Sequence, residues 1–73
     1  MATASIRSDV AGRVWKVLVK PGDRVAAEDT LFIIESMKME IPVVAPSAGT
    51  VAAILVEEGE EVAEDQEIAR ISV

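Results

Sequence analysis

The sequence TLFIIESMKMEIPVV, residues Thr30 to Val44, consists of two apolar runs that flank a polar centre. Both runs are rich in β-branched residues, which favours buried strands. A single strand of this length would extend about 50 Å at about 3.3 Å per residue. Because a globular chain of this size has a radius of gyration of only about 11 Å, the stretch must fold back near its middle.

The turn is predicted in the polar centre ESMKME, with Met37 and Lys38 as its two tip residues. A two-residue hairpin turn requires positive φ at its tip, which methionine and lysine adopt only with strain. The pairing also sets Glu35 directly opposite Glu40, a like-charge contact that costs up to about 1 kcal/mol. Sequences that break local rules in this way often do so at functional sites.

An internal repeat surrounds this turn. A shift of 37 positions aligns residues 11–34 with residues 48–71 without a gap, and nine of the 24 aligned positions are identical. Each copy contains a β-branched run, a glycine turn, a short Val-Ala piece and a second apolar run, which indicates strand, turn, short strand and strand. Two copies of one unit that is too small to bury its own apolar face would cover each other.

The repeat predicts an all-β fold with no helix. We expect a flattened barrel-sandwich of two small antiparallel sheets with pseudo-two-fold symmetry, known as a barrel-sandwich hybrid, in a single domain of residues 1–73. The turn after the first repeat then lies at the end of the molecule opposite both chain termini. Strands are predicted near residues 4–7, 13–19, 30–36, 39–44, 50–56 and 67–72, with the two Val-Ala pieces as a further short pair.

Composition limits the classes of function. The 73 residues contain no cysteine, so the sequence offers neither a disulfide framework nor a thiolate metal site. Seven of the thirteen acidic residues lie in the run EEGEEVAEDQE, residues 57–67, and the rest of the chain is close to neutral. This balance argues against nucleic-acid binding, which requires a basic surface. The acidic run is interpreted as a solvated rim or, alternatively, as a docking surface for a basic partner.

The N-terminal residues MATASIRSD lack the basic start and apolar run of a signal peptide. No stretch approaches the roughly 20 apolar residues that a membrane span needs. The expectation is a cytoplasmic protein without a membrane segment.

The chemistry available to Lys38 is that of an acylation target. An ε-amine on a thin turn is accessible to an active site that surrounds it, and Met37 and Met39 beside it are residue types that usually lie inside a protein. The chain has no histidine or cysteine and no apolar pocket that would lower the pKa of the amine for catalysis. We therefore predict a protein that is not an enzyme and that has no catalytic residues and no metal ligands.

The motifs together resemble a known family. ESMKME, the Ala-Gly strand starts, VKPGDRV and VEEGEEV are similar to the biotinyl domain of biotin carboxyl carrier proteins, part of the biotin/lipoyl attachment family, from about Val10 to Ile71. Sibling lipoyl domains share the fold and the hairpin lysine but usually have Asp-Lys-Ala or Asp-Lys-Val at the tip. The Met-Lys-Met triplet therefore favours biotin over lipoate.

The resemblance implies that Lys38 is the residue to which biotin is covalently attached. The same likeness implies the partners biotin protein ligase, biotin carboxylase and carboxyltransferase, and a carrier that is monomeric on its own. The residues that it implies for recognition by the ligase are Met37 and Met39, with their neighbours Glu35, Ser36 and Glu40.

Two alternatives stay open: a lipoate carrier of the same fold, and an unmodified structural adaptor in which the lysine is incidental. The sequence also departs from the family, which often has Gly-Asp where this chain has Glu28-Asp29 and Glu64-Asp65. Positive φ at those positions would cost about 1 kcal/mol each. The gapless repeat and the absence of a Pro/Ala-rich linker before Ile6 indicate a small stand-alone biotin/lipoyl attachment protein, or a domain cut from a larger carboxylase.

Overall fold

The computed structural model describes residues 2–73, which form eight β-strands and no helix. The expected all-β class is therefore confirmed, and the two short Val-Ala pieces do form a further pair of strands. The predicted strands 13–19 and 50–56 end two residues earlier than expected. The strands are β1 (Thr3–Arg7), β2 (Gly12–Val17), β3 (Arg24–Val25), β4 (Thr30–Ser36), β5 (Met39–Val44), β6 (Gly49–Ile54), β7 (Glu61–Val62) and β8 (Glu67–Ser72).

The strands form two antiparallel four-stranded sheets. The first has the order β1-β8-β6-β3 and the second the order β5-β4-β2-β7. Subtracting 37 from the residue numbers of β8 and β6 gives the positions of β4 and β2, and adding 37 to those of β3 gives the position of β7. The prediction of two sheets related by pseudo-two-fold symmetry is confirmed. The symmetry also relates β1 to β5, which lie outside the 24-residue repeat.

The two halves of the chain exchange their short strands. β3 belongs to the first repeat but pairs with β6 of the second, and β7 of the second repeat pairs with β2 of the first. Backbone bonds extend each exchange, since Val14 N–H donates to the carbonyl of Glu60 and Val51 N–H to that of Asp23, both at 2.8 Å. Neither repeat can therefore complete a sheet without the other.

The loops that precede the short strands have the same construction in both halves. The Asp23 carboxylate accepts the Lys20 N–H at 3.0 Å, and Glu60 accepts the Glu57 N–H at 3.1 Å. Both loops turn through a glycine at positive φ, 96° at Gly22 in the first half. The side-chain oxygens thus take the place of a backbone acceptor, and the glycine relieves the strain.

Positive φ does occur in the next turns, where the family often has glycine. It falls on Glu28 (71°) and Asp65 (68°), which are equivalent positions in the repeat, while Asp29 and Glu64 are not affected. These turns are held by Asp29, which accepts the Ala26 N–H at 2.9 Å, and by the corresponding Gln66. The expected cost of about 1 kcal/mol applies once in each half.

The core lies between the sheets and follows the same symmetry. Its largest members, Phe32, Leu31 and Ile34 on β4 and Ile68 and Ile71 on β8, are completely buried. Fourteen buried apolar side chains form one cluster. The radius of gyration is 11.2 Å, with extents of 36 × 17 × 17 Å. No helix within residues 2–73 is long and apolar enough to cross a membrane.

The acidic run of residues 57–67 is part of this framework. Glu58 accepts the Val17 N–H at 3.0 Å, and Glu60 closes its own turn. Glu67 pairs with Arg70 at 3.1 Å. Three of its carboxylates thus have structural partners, which a purely solvated rim would not require.

Candidate functional site

The chain reverses between β4 and β5 as predicted. Met37 and Lys38 form the two-residue tip, with Ser36 paired with Met39 and Glu35 paired with Glu40. Both tip residues have positive φ, 52° for Met37 and 64° for Lys38. Positive φ at both central residues is the mark of a type I′ turn, whose twist matches that of the flanking strands. The strained backbone that the sequence indicated is therefore present at the lysine.

The hairpin tip is the most exposed apolar region of the described chain. Met37 is 92% exposed and Met39 63%, and Lys38 between them is exposed. Within residues 2–73 no carboxylate lies within salt-bridge distance of the Lys38 amine. The amine is thus directed to solvent with two flexible thioethers beside it, and burial does not explain either methionine.

A side-chain hydrogen bond from Ser36 connects the base of the hairpin to the neighbouring strand region. The Ser36 hydroxyl donates a 2.9 Å hydrogen bond to the carbonyl of Ala11, in the loop that precedes β2. Ser36 was predicted only as a recognition residue, and the structure gives it a role in holding the tip. The sequence offered no signal for this bond.

Gly12 allows β2 to lie unusually close to β4 beneath the tip. A Cβ at this position would be 2.4 Å from the backbone oxygen of Glu35 and 2.9 Å from Cγ2 of Ile34. Gly49 makes the same approach to Ser72 in the other half, where the distance is also 2.4 Å. The repeated Ala-Gly pair was therefore the sequence signal for this packing, although its purpose was not deduced.

A row of three charged residues crosses the sheet just below the tip. Glu35 is paired with Arg13 on one side and with Glu40 on the other. Arg13 forms no ion pair within 4 Å in the described chain, so its attraction for the glutamates is long-range. The predicted opposition of the two glutamates is confirmed.

A depression beside the hairpin is lined by residues of both halves of the chain. The depression beside the hairpin is open and shallow, and no group of three potential metal ligands occurs within residues 2–73. The residues that line the depression are Ala11, Gly12, Arg13, Glu35, Ser36, Met37, Glu61 and Val62. Its two carboxylates, Glu35 and Glu61, form no ion pair with the Lys38 amine in the described chain. The arrangement presents Lys38 at the surface.

The equivalent position in the other half has no turn. There the two ends of the chain meet, and Val73 N–H donates to the carbonyl of Ala2 at 3.0 Å. The approximate two-fold axis relates this contact to the Ser36–Met39 pair. The hairpin and the termini therefore lie on opposite sides of the axis, as the repeat predicts.

The strongest ionic contact of the described chain lies on the sheet that does not carry the lysine. Arg70 donates two 3.1 Å hydrogen bonds to the Glu67 carboxylate, and the Ser5 hydroxyl donates a third bond. The bonds from Arg70, followed by that from Ser5, lower the pKa of Glu67 from 4.5 to about 2. In turn, the hydrogen bonds to Glu67 raise the pKa of Arg70.

Sequence comparison places this geometry among known proteins. The family model described as "Biotin-requiring enzyme" matches residues 1–71. A biotin/lipoyl attachment protein of Bacillus subtilis (strain 168) is 43% identical over 70 residues, which cover 96% of this chain and 93% of that protein. A biotin carboxyl carrier protein of Streptococcus mutans is 44% identical over 84% of this chain and 47% of its own length.

Other relatives are much longer. The dihydrolipoyllysine-residue acetyltransferase component of the Pseudomonas aeruginosa pyruvate dehydrogenase complex is 39% identical over 85% of this chain but only 11% of its own length. The crystal structure of Kluyveromyces lactis urea carboxylase matches with a TM-score of 0.93 and 36% identity, over 99% of this chain and 6% of that one. On the family match, the identity and the shared fold, the chain belongs to the biotin/lipoyl attachment family.

Proposed function

We propose that the protein is a biotin carboxyl carrier whose Lys38 is biotinylated by a biotin protein ligase. The observation that carries the proposal is an unpaired lysine at the tip of a type I′ turn, between two exposed methionines. An accessible ε-amine on a narrow turn suits acylation by an enzyme that closes around it. Activation of the amine and of the biotin carboxyl group would fall to that enzyme.

Attachment would use only Lys38 of this chain. The deprotonated Nζ attacks the activated carboxyl carbon of biotin, an amide bond forms, the activating group leaves with the bonding electrons, and a proton departs from Nζ. The lysine loses its positive charge. Met37 and Met39, with Glu35, Ser36 and Glu40 behind them, form the surface that the ligase would recognise first.

The carrier role follows from the length of the arm and the rigidity of its base. Once attached, biotin would accept a carboxyl group at a biotin carboxylase and deliver it at a carboxyltransferase. The modified side chain spans about ten bonds, or about 13 Å. The hairpin holds the base of this arm through the Ser36 bond and the close approach at Gly12. A long arm on a small rigid domain raises the effective concentration of its end in both active sites.

Lipoate is the second candidate, because one relative is named for a dihydrolipoyl-lysine residue. Biotin is favoured by Met37 and Met39 at the tip, where lipoyl domains usually have aspartate and a small residue. The likeness to a biotin carboxyl carrier protein supports the same choice. In either case the domain acts as a carrier rather than as a catalyst.

The test is the intact mass of the chain after expression with an active biotin ligase. We expect the wild type to gain the mass of one biotin amide, while a Lys38→Arg variant of equal stability gains nothing. A gain of lipoyl mass in cells that supply both ligases would identify the second candidate. An unmodified wild type under both conditions would contradict both carriers and leave the structural adaptor.

A further inference from the structure

The outer face of the lysine-bearing sheet carries an apolar strip that the core does not use. The strip consists of Trp15 on β2, Ile33 on β4, and Pro42 and Val44 on β5. Ile33 is paired with Pro42, and Lys16 lies on the other side of Ile33, so the strip crosses the sheet. Trp15 is 45% exposed and Val44 42%, and Pro42 is also exposed.

A β-bulge places Trp15 and Lys16 together on the outer face of β2. Val14 is paired with Ile34 and Lys16 with Ile33, so Trp15 is the extra residue on β2. Val14 is completely buried and Val17 packs against the core, which leaves both bulge residues on the outside. The amine of Lys16 lies 5.5 Å from the centre of the Trp15 ring, consistent with two side chains on one face.

The corresponding face of the other sheet is polar at three of the four equivalent positions. The shift of 37 replaces Trp15 by Ala52, Ile33 by Arg70, and Pro42 and Val44 by Ser5 and Arg7. There Arg70 and Ser5 both bond to Glu67, and Arg7 donates to the carbonyl of Asp65 at 2.9 Å. Since the other sheet has a polar network at the equivalent positions, the fold does not require the apolar strip.

We propose that this strip, Trp15, Ile33, Pro42 and Val44, is a docking surface for the ligase that acylates Lys38. The inference rests on the proposed function, because it assumes that a ligase acts on this chain. The strip lies on the same sheet as the hairpin, with the charged row of Arg13, Glu35 and Glu40 between them. Along β4, the distance from Ile33 past Glu35 to the tip at Met37 is about 13 Å at about 3.3 Å per residue. An enzyme that encloses the tip extends over this distance.

The reach of the lysine distinguishes the ligase from the later partners. Before modification the amine lies about 6 Å from its own Cα, so the body of the ligase must come that close to the hairpin. After modification the arm reaches about 13 Å, and a carboxylase can stand farther from the domain. Close contact with the hairpin is therefore needed for attachment and not for carriage, and the strip lies on the sheet next to that contact.

The size of the strip indicates a partner that also covers the hairpin. A stable interface buries about 800 Å² on each side, which is nearly a fifth of the 4510 Å² surface of this chain. Four side chains supply only a fraction of such an area, and the exposed methionines of the tip supply the next part. The partner surface that fits is apolar at its centre, with carboxylates at its edge facing Lys16 and Arg13.

The experiment measures steady-state biotinylation of the full chain by a purified biotin ligase. Trp15→Ala is expected to raise KM about fivefold or more with kcat unchanged, as for truncation of an aromatic interface residue. Val44→Ser is expected to act in the same direction, and prolonged incubation should still modify both variants completely. Ala52→Ser, at the position equivalent to Trp15, is the matched control and should leave KM within twofold of wild type.

Contact between the strip and the ligase can be measured directly, because Trp15 is the single tryptophan of the chain. With fluorotryptophan incorporated, the ¹⁹F signal of Trp15 should shift or broaden on addition of the ligase and return when the product is released.

An unchanged KM for both strip variants, with the wild type normally biotinylated, would overturn the inference while leaving the carrier function intact. Concentration-dependent dimers of the wild type that Trp15→Ala abolishes, with KM unchanged, would assign the strip to a second copy. Slower carboxylation of the biotinylated variants alone would assign it to a carboxylase. An unmodified wild type would instead refute the proposed function itself.

Discussion

The hairpin end and the end where the chain termini meet are built on the same backbone pattern and differ in what completes them. At one end a strained turn joins β4 to β5, and at the other Val73 and Ala2 share a backbone hydrogen bond without a turn. Gly12 and Gly49 make the same close approach at the two ends. The shared features belong to the fold. The function is therefore to be sought in what the symmetry does not repeat: the lysine, the methionines and the Ser36 anchor.

The largest effect on the two ends of the molecule is expected from substitution of the two glycines that allow the close approach. Gly12→Ala and Gly49→Ala should each destabilise the protein by about 1 to 3 kcal/mol, because a Cβ would lie 2.4 Å from a backbone oxygen. The two losses should agree within about 0.5 kcal/mol, measured by urea unfolding followed by circular dichroism. Only Gly12→Ala should also shift the amide resonances of the hairpin. A glycine that tolerates alanine without loss would show that its end of the molecule relaxes freely.

A Ser36 variant tests the side-chain hydrogen bond that anchors the hairpin and that has no counterpart where the chain termini meet. Ser36→Ala removes the bond to the Ala11 carbonyl and should cost about 1 kcal/mol. The freed hairpin should be biotinylated with a higher KM, since the ligase must order it on binding. Ser36→Thr keeps the hydroxyl and should restore both the stability and the KM. If threonine failed to restore either quantity, the hydrogen bond would not be the cause.

The sequence was sufficient for much of this architecture because the repeat and the length of Thr30–Val44 are strong constraints. Together they led to two symmetric sheets, to a turn at Met37-Lys38 and to the opposition of Glu35 and Glu40, all of which the structure shows. The Ser36–Ala11 bond was not foreseen, since it joins residues 25 positions apart through side-chain geometry. The outer strip was not foreseen, because a β-bulge that the sequence did not indicate places Trp15 and Lys16 side by side on the outer face, where strict alternation would send Lys16 inward.

The glutamate pair beneath the tip offers a smaller effect of opposite sign. Glu40→Gln removes the like-charge contact with Glu35 and should stabilise the protein by a few tenths of a kcal/mol up to about 1. Glu35→Gln should gain less, because it also removes the attraction to Arg13. Urea unfolding at low and high salt measures both, and salt should shrink the difference. Equal stability of wild type and Glu40→Gln at low salt would show that the two carboxylates avoid each other in solution.

The smallest effect is expected from the Glu67–Arg70 pair, which exists only on the sheet without the lysine. Its two-fold counterparts, Thr30 and Ile33, carry no charge. Because the folded state lowers the pKa of Glu67 from 4.5 to about 2, its contribution to stability is complete above pH 4.5 and disappears as the pH falls towards 2. The pair is exposed to solvent, so screening keeps this contribution modest.

The prediction for the Glu67→Gln variant follows from that pH window. Its free energy of unfolding should lie below that of the wild type between pH 5 and 7, and the two should converge as the pH approaches about 2. Urea unfolding at low ionic strength across this range measures the difference. Biotinylation at neutral pH should be unchanged, because the pair lies on the opposite sheet from Lys38. A deficit of the variant that persisted unchanged at pH 2 would mean that Glu67 acts through packing rather than charge. In that case the contrast between the two faces would be one of shape and not of electrostatics.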